Sequence, residues 1–260
     1  MDNKISDLNN INALIEKGAT FFVSHSGGKD SQAMYALISQ LVPHDQIVVF
    51  HCDLGEEVEW EGTVKHIEEN TNHEVHITKS TTKTFVQMVE RRGMFPGIQY
   101  RQCTSDLKTG PSERFIRQYA NKHGLEYVIN CTGVRAYEPD KRKKKIIKNG
   151  SFCENKKISA PTKNRYGYNW NPLAWFTEEK VFQVIEEAGQ KPHYAYGLGM
   201  SRLSCCFCIM ASKTDLRISA KANPEKFQII VELEKKINHT MFMEKSKPIR
   251  IEEYIKENVA

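Results

Sequence analysis

Residues 21–38, FFVSHSGGKDSQAMYALI, constrain the fold more than any other stretch: an apolar run, a glycine turn and a helix-like pattern follow one another without a gap. Phe21, Phe22 and Val23 open it, Gly27 and Gly28 break it, and Ala33, Met34, Ala36, Leu37 and Ile38 carry the helical period, so strand, tight turn and helix is the most economical reading. Gly27 and Gly28 can take backbone angles closed to other residues, which lets backbone N–H groups converge on an anion seated at a positive helix N-terminus. The turn is therefore expected to hold phosphate. It is neither the Lys-Ser/Thr-terminated loop with four residues between its glycines nor the three-glycine dinucleotide fingerprint. An ordinary glycine turn capped by Asp30 or Ser31 would use the same residues.

Around that stretch the sequence reads as α/β. A polar N-terminal helix is predicted over residues 2–18, with Ile11, Leu14 and Ile15 at helical spacing and Gly18 as its stop. Residues 46–52, QIVVFHC, form a short continuous apolar run of the kind found in buried parallel strands, and they end in Asp53-Leu54-Gly55-Glu56. A polar strand end in such a sheet faces the ligand crevice, which makes Asp53 a candidate there, with an acidic N-cap for a helix starting at Glu57 or Val58 as the equal alternative. Further strands are predicted at 74–77 and 127–132 and a helix at 82–92. Strands separated by helical stretches predict right-handed βαβ units in a doubly wound, mostly parallel sheet. Thr177 with Glu178 and Glu179 opens a helix whose apolar face is Val181, Phe182, Val184 and Ile185, and a long amphipathic helix follows Pro224.

Length and charge bound the rest. A protein of 260 residues can bury a substantial core, and it is expected to divide into a nucleotide-binding α/β domain over 1–200 and a cysteine-bearing segment with a helical extension over 201–260. No apolar run approaches the roughly 20 residues that span a bilayer, and the first 14 residues lack a signal-peptide pattern, so a cytoplasmic protein with no membrane partner is expected. Seven Cys, several within four positions, suit thiol or metal chemistry in a reducing compartment. The net charge of +5 gives mild anion affinity. The basic run at 141–145, KRKKK, is either a solvated loop or a clamp for a polyanion.

At Ser26-Gly27-Gly28-Lys29-Asp30-Ser31 the turn resembles the SGGxDS loop of the ATP pyrophosphatase (PP-loop, adenine nucleotide alpha hydrolase) superfamily. Four more segments resemble one branch of it, the phosphoadenosine phosphosulfate (PAPS) reductase-like family: Tyr100-Arg101-Gln102-Cys103-Thr104 with Leu107, Lys108 and Pro111; Gly133-Val134-Arg135-Ala136 with Glu138 and Arg142; Asn171-Pro172-Leu173 with Trp175; and Tyr196-Gly197 with residues 201–208, SRLSCCFC. The ordered set runs from about residue 21 to 208. The resemblance implies a HUP/PP-loop type sheet and ATP cleaved between its α and β phosphates, with pyrophosphate held by Ser26, Gly27, Gly28, Lys29, Asp30 and Ser31. It also implies adenosine near Asp53, and the phosphates or acceptor steadied by Gly133, Arg135, Arg142 and Lys108. Lys29, Asp30 and Arg135 are the catalytic candidates, Asp30 as a Mg²⁺ ligand or, alternatively, an N-cap.

Cys205 and Cys208 form a C-x-x-C, a spacing that lets two thiolates reach one metal or cluster, and Cys206 adds a third thiol. The resemblance places Cys103 beside them. A 4Fe–4S cluster on Cys103, Cys205 and Cys208, with Cys206 as a possible fourth ligand, is the leading expectation; a structural Zn²⁺ site and a redox or persulfide-carrying pair are the alternatives. Cys52, Cys131 and Cys153 read as small hydrophobes, and His25, His51, His193 and His239 as surface or core histidines. Reductases of this family are similar to one another in a C-terminal catalytic cysteine, whereas residues 209–260 contain no Cys, and they carry a degenerate loop, whereas this one is intact. Activation by ATP followed by sulfur transfer is thus the expected activity, with a sulfonucleotide reductase and a non-catalytic nucleotide- or nucleic-acid-binding regulator as alternatives. The partners implied are a sulfur donor such as a cysteine desulfurase, a nucleic-acid or small-molecule acceptor, and a second copy of the same polypeptide.

Overall fold

The computed structural model of the protein describes residues 4–136 and 146–256; the basic run at 141–145, with Glu138 and Arg142, lies outside the described residues. The molecule falls into two compact units. The first takes Met1–Cys52, Val64–Thr78 and Ser112–His193, the second Asp53–Thr63, Lys79–Pro111 and Tyr194–Ala260. The two units interleave along the sequence, because Leu54, Val58 and Trp60, and then Phe85, Met88 and Val89, are buried in one apolar cluster with Phe207, Leu216 and Ile230.

The first unit is built on a sheet of strands β1 (Thr20–Ser24), β2 (Ile47–Asp53), β3 (Val75–Lys79), β4 (Tyr127–Cys131), β5 (Phe152–Glu154) and β6 (Tyr166–Trp170), in the order β3-β2-β1-β4-β6-β5. β1 runs parallel to both β2 and β4, with Phe21 opposite Ile47 and Thr20 opposite Val128. β4 runs parallel to β6, and β5 is antiparallel to β6. The centre of β1, Phe21 to Val23, is apolar because both of its faces are covered. On one side Phe21, Val23, Val49 and Ile129 pack with Ile11 and Leu14 of helix α1 (Leu8–Glu16), Met34 and Ile38 of α2 (Lys29–Leu41) and Val181, Val184 and Ile185 of the later helix Glu178–Glu187. On the other, Phe22, Val48, Phe50 and Val128 pack with Ile116 and Ala120 of the helix Gly110–His123. From β1 the order steps outward one way to β2 and β3 and the other way to β4, so the switch point where a doubly wound sheet binds ligands lies at the carboxyl ends of β1 and β4.

The structure departs from the sequence reading at three places. No helix starts at Glu57 or Val58; α3 spans Thr63–Glu69. Ahead of it Asp53 Oδ1 accepts the Gly55 N–H at 2.7 Å, and Gly55 sits at φ 94°, so Asp53 fixes a turn rather than a helix start. The N-terminal helix is shorter than expected because Asp7 takes a left-handed conformation at φ 58° just ahead of it. β5 and β6 extend the sheet beyond the strands read from sequence.

The second unit holds α4 (Phe85–Arg92), whose N-terminus is closed by a capping box between Thr84 and Gln87. After α5 (Gly110–His123) and α6 (Glu178–Glu187), which belong mainly to the first unit, the second unit resumes with α7 (Lys213–Ala222), α8 (Pro224–Ile237) and the hairpin of β7 (Phe242–Glu244) and β8 (Lys247–Ile249). None of the described helices is long and apolar enough to cross a membrane.

Candidate functional site

The loop between β1 and α2 is closed by its own side chains. Ser31 Oγ accepts the Ser26 N–H at 3.1 Å, donates to the Gly28 carbonyl at 2.8 Å and lies 3.2 Å from Ser26 Oγ. Gly27 sits at φ 76°, a conformation that any larger residue would strain. The first intrahelical bond of α2 is Gln32 N–H to Gly28 O at 3.0 Å, so the amides of Lys29, Asp30 and Ser31 precede the helical ladder at the positive end of a 13-residue helix. Gly28, the N-cap, supplies no capping side chain. This is the chemistry of an anion cradle, built where β1 ends at the switch point of the sheet.

β4 delivers the second half of the site. Arg135 donates from Nε to Asp30 Oδ1 at 2.6 Å and from Nη1 to the Phe176 carbonyl at 3.2 Å, and it is buried. Gly133 lies so close to the loop that a Cβ there would stand 2.9 Å from the carbonyl carbon and oxygen of Asp30 and 3.1 Å from the Ser31 nitrogen. Those are backbone atoms, so Gly133→Ala is expected to push the loop and α2 away from β4. A loss of roughly 1–3 kcal/mol follows, read as a lower melting temperature together with weakened pyrophosphate binding; unchanged binding would show that this contact does not set the cradle.

The two cations read from sequence as phosphate partners each meet a carboxylate in the structure. The Lys29 ammonium is buried, 3.2 Å from Glu178 Oε1 and over the Phe182 ring at 5.9 Å. As the first helical residue of α2 it projects sideways toward the start of α6, where Glu178 lies in the first turn and Thr177 caps by accepting the Lys180 N–H. Arg135, bonded to Asp30 and to the Phe176 carbonyl, ties the loop to the segment before α6. Glu178, Phe176 and Phe182 were not legible as site residues, since nothing in their local pattern distinguishes them from an ordinary helix start and its apolar face.

In the second unit, Cys103 lies in the turn Gln102–Thr104, which runs into a widened helical turn at Ser105–Thr109 before α5. Wide turns of this kind re-aim neighbouring side chains and recur at functional sites. Cys205 and Cys208 act on each other thiol to thiol. The Cys205 thiol is raised by donating to Cys208, then by burial. Cys208 is lowered by that same bond, despite its burial, with the Met210 N–H at 3.5 Å, Lys108 and Arg202 adding to the effect. Burial first, then Cys208, raises Cys103, while Lys108 opposes them. Cys206 has other neighbours: it is buried in the apolar cluster, its N–H donates to the Val58 carbonyl at 2.8 Å, and burial pushes its thiol up to about 12. Cys103, Cys205 and Cys208 thus share one electrostatic neighbourhood with the cation Lys108, which Cys206 does not join. Among the described residues, no three or more His, Cys, Asp or Glu side chains form a ready metal cage. The three soft thiols suit a thiophilic metal or cluster in donor chemistry, and they would have to converge to hold one.

Cys131 is buried in β4, where burial raises its thiol well above the usual range, as a small apolar residue would sit. Of the histidines read as surface or core, His25, His51 and His193 are buried.

A model of the phosphoadenosine phosphosulfate reductase domain matches residues 20–211 of this protein, spanning the loop, Gly133, Arg135 and Cys103 to Cys208. A curated relative, the uncharacterised 37.8 kDa protein of the gpa 5′ region of Escherichia phage 186, is 28% identical over 189 residues, which is 70% of the present sequence and 53% of that protein. The sequence therefore spans about half the length of the curated relative it matches. Among solved structures, the phosphoadenylyl-sulfate (PAPS) reductase of Candida auris in its phosphate complex is similar with a TM-score of 0.45 and 12% identity, over 76% of the present sequence and 86% of that one. The U34-tRNA thiolase NcsA of Methanococcus maripaludis, with its 4Fe–4S cluster, is similar with a TM-score of 0.40 and 16% identity, over 89% and 78%.

Proposed function

The chain belongs to the phosphoadenosine phosphosulfate reductase domain family, and from that premise we propose that it binds ATP and cleaves it to AMP and pyrophosphate, activating an acceptor for sulfur transfer. The observation that carries this reading is the closed Ser26–Ser31 loop, with the amides of Lys29, Asp30 and Ser31 at the N-terminus of α2. Such a cradle suits a leaving pyrophosphate, because fixed amides stabilise charge as it develops and need no rearrangement when it does. The acceptor oxygen attacks the α-phosphorus, the bond to the bridging oxygen breaks, and pyrophosphate departs into the loop. The adenylate formed is then displaced by a sulfur nucleophile, releasing AMP.

Within this scheme the exposed Ser26 hydroxyl reaches the pyrophosphate oxygens, while Ser31, turned inward, keeps the loop closed. Asp30, held through Oδ1 by Arg135, presents a carboxylate for Mg²⁺, which would neutralise the leaving group. Lys29, 3.2 Å from Glu178 Oε1, offers its ammonium to phosphate in competition with that carboxylate. Arg142, Asp53 and Lys108 retain the roles that family resemblance gives them, Arg142 and Lys108 toward phosphate or acceptor and Asp53 toward the adenosine. Cys103, Cys205 and Cys208 would hold a 4Fe–4S cluster or Zn²⁺, which when bound offers a Lewis-acidic site for sulfur.

Anaerobic incubation with ATP and Mg²⁺ tests the main reading. ATP–pyrophosphate exchange supports it, whereas sulfite release from PAPS supplied with a dithiol reductant, without exchange, assigns the protein to sulfonucleotide reduction, and tight ATP binding with neither product marks a regulator. For the cysteines, anaerobically purified protein is expected to show iron–sulfur charge-transfer absorbance, and Cys103→Ser or Cys205→Ser to retain less than half of the iron. Colourless protein with stoichiometric zinc would put Zn²⁺ in its place, and protein with neither metal removes the centre altogether.

A further inference from the structure

His25 joins β1 to the loop, and the scheme above gives it no task. Its backbone N–H donates to the Phe50 carbonyl at 2.8 Å, its own carbonyl faces His51 Nδ1 at 2.8 Å, and its Nδ1 accepts the Gly27 N–H at 3.1 Å. The backbone partners fix both tautomers. A carbonyl only accepts, so His51 carries its proton on Nδ1; an amide only donates, so His25 Nδ1 is bare and its proton sits on Nε2. His25 is 1% exposed, and Nε2 is buried with no hydrogen-bond partner. A buried donor left without a partner costs stability, and an apolar group of similar volume would avoid that cost. It could not accept from Gly27.

We propose that His25 is the positioning residue of the anion loop: by drawing the Gly27 N–H inward onto Nδ1 it holds Gly27 at φ 76° and sets the direction of the peptides that follow. The inference deepens the reading of the loop as a pyrophosphate cradle and rests on it. With Ser26 N–H drawn onto Ser31 Oγ and Gly27 N–H onto His25, the first two loop amides are used inside the protein, and the anion falls to the amides at the start of α2.

The surroundings keep the ring an acceptor. From β2 it faces His51 and from α3 His66; the Tyr35 ring of α2 lies edge-on at 6.2 Å. His66 Nε2 lies 3.3 Å from Gln32 Oε1, His66 has Glu69 as its nearby carboxylate, and His193 meets it edge-on at 5.0 Å. Burial, then His51 and His66, pushes the His25 pKa down to about 3, so the bare Nδ1 persists through the neutral range.

Two variants of the full-length protein test this. His25→Asn places an oxygen near the Nδ1 position and cannot titrate, whereas His25→Leu fills the volume without an acceptor. With inorganic pyrophosphate as the calorimetric probe at pH 7.5, Leu is expected to weaken binding at least tenfold and Asn to recover most of it. Leu binding as tightly as the parent, or Asn as weakly as Leu, overturns the proposal. Nitrogen-15 NMR supplies an arm independent of the ligand: His25 must appear as the Nε2–H tautomer, and exchange of the Gly27 amide must quicken at least tenfold in the Leu variant. An Nδ1–H tautomer or unchanged exchange overturns the proposal. Parent protein that ignores pyrophosphate would sink the cradle reading, and the NMR arm would still decide whether His25 shapes the loop.

Discussion

Asp30→Ala is expected to abolish ATP–pyrophosphate exchange and to lower the unfolding free energy by about 3 kcal/mol. The two effects have one origin in the 2.6 Å pair between Asp30 Oδ1 and Arg135 Nε. The Arg135 side chain is 6% exposed and that of Asp30 24%, so removing the carboxylate strands a guanidinium that water barely reaches. Stranding one partner of a buried pair costs roughly 3–5 kcal/mol, and the partial exposure of Asp30 sets the expectation at the lower end. A loss of activity caused only by unfolding is separable from loss of the acidic group. The double variant Asp30→Ala with Arg135→Met removes both charges and should regain most of the stability, because a buried pair replaced by apolar groups is often neutral. It should regain no exchange. Denaturant melts and radiolabelled exchange on the same preparations check both halves. Full exchange in a stable double variant would remove Asp30 from the mechanism.

Acid is expected to destabilise the first unit well before its carboxylates protonate. His25 is held down to about 3 by burial, then His51 and His66, and His193 to about 4 by burial, then His66. A histidine with a depressed folded pKa binds its proton more readily when unfolded. Stability is therefore fully present above about pH 6.5 and falls as pH drops toward the folded values. Each group contributes a slope of about 1.4 kcal/mol per pH unit in that window, so between about pH 6 and about pH 4 the pair should remove several kcal/mol. Chemical unfolding at half-unit steps measures the slope, and His25→Asn should reduce it by about half. A flat profile from about pH 7 to about pH 4.5 would mean that these imidazoles are not held neutral by the fold.

How far the sequence discloses this architecture depends on where the determining contact lies. β1, β2 and β4 were legible because each is a short apolar run buried on both faces, and α2 because its pattern follows a glycine turn directly. The edge strands were not. β5 has three residues, and β6, Tyr-Gly-Tyr-Asn-Trp, is interrupted by Gly167 and Asn169, so its alternation is concealed. Gly167 is there for a tertiary reason: a Cβ would meet the Ile158 side chain at 2.4 Å and Ser159 N at 2.9 Å. The loop residues 26–31 were readable as an anion site, but the fate of the cations around them was not. Arg135 finds Asp30 across 105 positions, and Lys29 finds a glutamate at the start of a distant helix. Spacing alone also left Cys206 open as a fourth ligand beside its neighbours. The turn in which it sits sends its thiol into an apolar cluster while Cys205 and Cys208 pair.

The interleaved paths of the two units bear on the order in which the molecule can be made. Every segment of the first unit has been translated by His193, so the nucleotide loop and its sheet can close while the ribosome is still working on the remaining residues. The second unit must wait: Leu54 and Trp60 emerge early, but partners that cover them, from Phe207 to Ile251, are made after the first unit is complete. Until then its early apolar residues are held in a nascent polypeptide without their cover. The thiols Cys205 and Cys208 thus emerge after every segment of the first unit, and any metal loading that depends on them follows that unit's synthesis.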